Sequence, residues 1–94
     1  MQESVREKLH KILDLVLDIN ESGKANTFMT FSGHVNGIHV STHIPKWELN
    51  RDPDILDEVY LDTPDEPGYM TTTLDATIEN LEEVLKGEHA NEAV

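Results

Sequence analysis

Residues Thr27 to Ile44 read TFMTFSGHVNGIHVSTHI, two runs of alternating apolar and polar residues that meet at Asn36-Gly37. An Asn-Gly pair between alternating runs predicts a hairpin with a two-residue type I′ turn, because both central residues of that turn need a positive φ. In that register Val35 faces Ile38 and His34 faces His39. One face carries Met29, Phe31, Gly33 and Val35 against Ile44, Thr42, Val40 and Ile38, and is the core side. The other carries Thr30, Ser32 and His34 against His43, Ser41 and His39, and is the polar side.

On the N-terminal side, Ser4-Val5-Arg6-Glu7 has the form of a capping box. Val5, Leu9, Ile12, Val16 and Ile19 then recur at helical spacing, and Gly23 suits a left-handed cap. Leu13, Leu15 and Leu17 widen the apolar arc of this helix to roughly 200°, about twice what packing on one sheet requires. Part of that arc must meet a second element, either the C-terminal helix or another subunit.

On the C-terminal side, Pro45 ends the second strand because it cannot donate to a ladder. Lys46 to Leu56 reads as irregular, with Asp52-Pro53-Asp54 as turn chemistry. Glu58 to Asp62 predicts a third strand with Val59 and Leu61 inward and Tyr60 on the polar face. Residues 63–68 form a loop by composition, and Tyr69 to Thr72 is either a brief fourth strand or an extended lead-in. A second helix starts near Thr72 or Thr73, with Thr72 and Asp75 as its capping pair. It runs along Leu74, Ile78, Leu81 and Leu85 to a stop at Gly87. The fold expected is α+β, a two-layer α-β-β-β-α chain. Its sheet is an antiparallel three-stranded meander with both helices on one face. Residues 1–87 make the domain and 88–94 a flexible tail.

The chain has 94 residues, no cysteine and a net charge of −12. Disulfides, thiolate metal sites and cysteine nucleophiles are excluded, and the absence of any apolar run of spanning length points to a cytoplasmic protein without membrane contact. Residues 1–47 balance five acids with five bases, so the charge sits in residues 48–94, where fourteen acids face only Arg51 and Lys86. That half repels nucleic-acid phosphate and suits a basic partner.

Candidate chemistry is sparse. His34 and His39, opposed on the hairpin, are the weak candidates for a metal pair, but they lack a third ligand. Their joint protonation predicts a stability change between pH 7 and 5 that His34→Thr reduces. Asp52, Asp54 and Asp57 do not match calcium-loop spacing, since Pro53 intrudes and no glycine follows. Ser32 and Ser41 share a strand face with histidines but have no elbow, oxyanion loop or orienting acid. The chain is therefore read as non-enzymatic and without cofactor. Trp47 either lids one end of the core or stands exposed as an aromatic anchor, with Tyr60 and Tyr69 near it.

The segment FSGHVNGIHVS, followed by a tryptophan-containing loop and an Asp-Pro pair, resembles short proteins encoded by prophages and mobile elements of Gram-positive bacteria. The resemblance spans roughly residues 28–62, and it implies a genomic neighbourhood but no activity. The leading expectation is a protein–protein interaction module that forms a homodimer, with Leu13, Leu15, Leu17, Trp47 and Tyr60 as the contact candidates. An acidic DNA-mimic inhibitor is the first alternative, and a metal-dependent enzyme using His34 and His39 is the second.

Overall fold

A computed structural model describes residues 2–68 and 70–87; the expected tail 88–94 and Tyr69 lie outside the described residues. The element order is α1 (Glu3–Ser22), β1 (Asn26–Ser32), β2 (Gly37–His43), β3 (Ile55–Tyr60) and α2 (Leu74–Lys86). The strands form one antiparallel sheet in the order β1-β2-β3. This is the expected α+β architecture. Val5, Ile12, Leu15, Val16 and Ile19 of α1 and Leu74, Leu81 and Val84 of α2 close over Ile38, Val40 and Val59 of the sheet. Both helices thus cover one sheet face and leave the other open.

The helix signals hold with local shifts. α1 begins two residues earlier than the capping box implies: Arg6 N–H donates to the Gln2 carbonyl, so Ser4 lies inside the first turn and caps nothing. An added backbone bond takes the place of the side-chain cap. Gly23 ends the helix with φ 76, the left-handed position a Cβ disfavours. At α2 the cap is Thr73, whose hydroxyl accepts from Ala76 N–H at 3.1 Å, and Thr72 is free to do something else. The inward stripe of α2 is rotated from the one its leucines suggest. Thr77 and Val84 are fully inside while Ile78 and Leu85 are half-buried. Thr77 is tolerated there because its hydroxyl returns to the Thr73 carbonyl at 3.1 Å. The Lys24 ammonium, in the α1–β1 link, donates to the Leu85 carbonyl near the C-terminus of α2, a favourable place for a cation.

The hairpin register differs from the expected one. Asn26 pairs with His43, Met29 with Val40, and Ser32 with Gly37, so the connection is the four-residue loop 33–36. Asn36 N–H donates to the Gly33 carbonyl at 3.3 Å, and only Asn36 of the Asn-Gly pair has a positive φ, at 50°. The reason is tertiary. Gly37 belongs to β2, where a Cβ would stand 3.3 Å from both the Tyr60 ring and the Val59 carbonyl oxygen. Asn36 in turn accepts from Leu61 N–H at 2.8 Å and donates its amide to Asp62 at 2.9 Å. The turn is therefore built around the end of β3. Because the slip is an even number of residues, each side chain keeps its face although it changes partner.

β3 begins before the expected span and ends at Tyr60, and its pattern is inverted at two positions. Asp57 is buried on the core face, where the Asn80 side-chain amide donates to its carboxylate at 3.2 and 3.4 Å. Leu56 faces outward. Residues 70–72 form no fourth strand. Thr72 N–H instead donates to the Glu58 carbonyl at 2.8 Å, outside β3.

Candidate interaction surface

The open sheet face is set out in rows by the strand register. Ser32, Gly37 and Tyr60 form the row nearest the hairpin loop; Thr30, His39 and Glu58 form the next; Phe28, Ser41 and Leu56 the third. Asn26 and His43 close the series. The Phe28, Leu56 and Tyr60 side chains are about half exposed there, as is Trp47 just beyond the end of β2. The Trp47 N–H donates to Asn26 Oδ1 at 2.7 Å, which holds the loop after β2 beside the start of β1. Arg51 bonds both the Ile44 carbonyl and Asp54, and Asp54 accepts from Ile44 N–H, so this loop is pinned at its base.

His39 and Glu58 lie side by side, Nε2 to Oε1 3.9 Å, at the edge of a shallow cleft of about 180 Å³ that Tyr60 and Gly37 help to line. His43 is buried and meets the Phe28 ring edge-on, with ring centroids 5.8 Å apart. Its Nδ1 has no hydrogen-bond partner among the described residues. A flat face of half-exposed aromatic and aliphatic groups around a few polar side chains has the make-up of a protein contact surface.

The residues singled out in the sequence are dispersed. His34 sits in the loop 33–36 and does not face His39, whose partner on β1 is Thr30. The opposed pair, and the pH response expected from it, depend on a register the chain does not adopt. Among the described residues no group of three or more histidine and acidic side chains is placed to hold a metal ion. Leu15 is 5% exposed and belongs to the core, whereas Leu13 and Leu17 are 46% and 51% exposed on another side of α1. Trp47 is no core lid, for it is half in solvent. Tyr60 does lie on the open face.

Phe28 and Leu56 were missed as surface residues, for different reasons. Phe28 has the same parity as Thr30 and Ser32, so the alternation of β1 already marks it. Leu56 stands in a stretch whose hydropathy is inverted by the buried Asp57, and no local signal reveals that.

The acids around β3 and the loop after it do not share a face. Glu58 is on the open side and Asp57 on the core side. Asp62, Asp65 and Glu66 border a cleft of about 540 Å³ between the start of α1 and the loop after β3. Asp75 and Asp65 meet Lys8 at 3.0 and 3.7 Å, and hydrogen bonding to Asp75 holds the Lys8 ammonium above its ordinary pKa. These acids thus lie on several sides of the fold.

No protein-family model matches the chain, and neither the curated proteins nor the solved structures contain a match to it. Among the described residues no helix is long and apolar enough to cross a membrane.

Proposed function

We propose that this chain is a non-enzymatic protein-interaction module that uses its open sheet face, with Phe28, Leu56, Tyr60 and Trp47, to hold a protein partner. The observation that carries this reading is the position of those four side chains. They stand half exposed on or beside the one sheet face that neither helix covers. Solvated sheet faces are ordinarily polar, so aromatic and aliphatic groups collected on one have a use beyond folding. The partner suited to this face has an apolar centre and a basic rim, since Glu58 lies within the face and Glu48 and Asp52 follow Trp47.

A test compares the parent with a Phe28→Ser, Leu56→Ser double variant as immobilised baits in extract of the native host. The expected result is a partner held by the parent, lost from the variant and released by salt. Equal capture by both baits, with both shown folded by circular dichroism, overturns the reading.

A further inference from the structure

β1 is an edge strand, and its outward backbone groups are identifiable. Asn20 of α1 donates its side-chain amide to the Thr27 carbonyl at 2.9 Å and accepts from Thr27 N–H at 3.0 Å. Thr27 therefore points its backbone polar groups away from β2, and so, by the alternation of an antiparallel ladder, do Met29 and Phe31. No hydrogen bond within the chain takes up those outward groups of Met29 and Phe31 among the described residues. The strand, NTFMTFS, has no charged residue and no proline, the two ordinary guards of an open edge.

The side of α1 next to this edge has the same character. At about 100° per residue, Asn20 lies some 80° round the helix from the buried Ile12, and its contact with Thr27 shows which way β1 lies. The exposed Leu13 and Leu17 fall at about 100° and 140°, in the same sector. Arg6 is the one formally charged residue of that sector. Glu3, Glu7, Asp14, Asp18 and Glu21 all fall further round, at roughly 180–240°. On the helix side of the sheet Phe31 is 53% exposed and Met29 is half-buried. Leu13, Leu17, Met29 and Phe31 thus border one strip without acids.

We infer that this strip joins two copies of the chain, with β1 of one pairing antiparallel to β1 of the other. The occupant follows from charge and register. A chain of net charge −12 repels its own copies wherever acids face each other, and this strip has none. Asn20 occupies Thr27, and residue 33 already belongs to the hairpin loop, so Met29 and Phe31 are the outward residues left to pair. A two-fold axis at Thr30 sets Met29 of each copy opposite Phe31 of the other, and an isologous contact closes at two. The result is a continuous six-stranded sheet. On its helix side the two α1 helices lie next to each other, with Leu13 and Leu17 over the Met29–Phe31 pairs. The pairing uses the sheet edge and leaves the open face available, so it stands or falls separately from the function proposed above.

Sedimentation over a range of concentrations tests it, with parallel amide exchange. The parent is expected to be a dimer that tightens as salt screens the like charges, with slow exchange at Met29 and Phe31. Phe31→Lys, at an exposed position, is expected to weaken the dimer at least about tenfold and free both amides. The Leu13→Gln, Leu17→Gln double variant reports the same contact from the helix, away from the ladder, and should weaken it in the same sense. Leu56→Lys on the open face should leave it intact. A parent monomeric at high concentration, a Phe31→Lys dimer of parental strength, or a dimer lost in Leu56→Lys and kept in Phe31→Lys overturns the inference.

Discussion

β3 and β1 are both edges of the sheet, yet the chain guards one with a backbone bond and adjacent charges and leaves the other uncharged. Outside β3, the segment leading to α2 supplies Thr72 N–H to the Glu58 carbonyl. β3 also carries the adjacent charges Asp57 and Glu58. Outside β1 a single side chain, Asn20, serves a single residue, Thr27. An edge without charge, proline or cover is ordinarily an aggregation hazard. An uncharged edge opposite a charged one fits the pairing inferred above.

The contrast can be broken first at the covered edge. Leu74 is fully buried, and its N–H anchors the loop after β3 to the Pro64 carbonyl. Leu74→Ala is expected to cost about 2–5 kcal/mol in chemical denaturation, through the lost burial and the cavity left behind. A loss under 1 kcal/mol, on the order of a surface change, contradicts the packing described here. Next in size, Asn80→Leu removes the amide that faces the buried Asp57 carboxylate. The expected loss is about 1–3 kcal/mol, the usual cost of withdrawing a partner from a buried polar group. A neutral result would mean that Asp57 does not depend on Asn80.

The open edge offers the smaller effects. Asn20→Ala deletes both bonds to Thr27 and should cost about 1–2 kcal/mol. It should also speed exchange of the Thr27 amide in a variant kept monomeric by Phe31→Lys. Lys8→Gln is expected to cost less than about 1 kcal/mol, because its pairs with Asp75 and Asp65 are solvent-exposed and screened. The Lys8 pKa is raised in the folded chain, so this contribution is fully present below the ordinary value of 10.5 and is lost as pH rises through the raised one. Parent and Lys8→Gln stabilities should therefore converge only in strong alkali.

Much of this was legible in local patterns. Helical spacing located both helices, glycines marked both helix ends, and alternation located β1 and β2 and assigned their faces. What failed did so wherever a distant contact outweighed the local signal. Asn36-Gly37 is a strong two-residue turn, but Asn36 is engaged by Leu61 and Asp62, and Gly37 lies under the Tyr60 ring. The start of β3 was hidden because Asp57 points inward and Leu56 outward, an inversion made tolerable by Asn80 from another element. The candidate site moved for the same reason. Once the register shifted, His34 and His39 no longer stood together, and the inversion at Leu56 and Asp57 put Leu56 beside Phe28 and Tyr60 on the open face.

The amino-acid order by itself determined the elements, their sequence and the faces they bury, because those follow from side-chain periodicity and from the backbone freedom of single residues. Which residues stand opposite one another, which leucines of α1 stay outside and which sheet edge is left open were decided only by tertiary structure. Those outcomes depend on contacts between residues far apart in the chain, such as Asn20 with Thr27, Asn36 with Leu61 and Asp57 with Asn80. A local pattern can state a preference for each partner, but it cannot bring the two together.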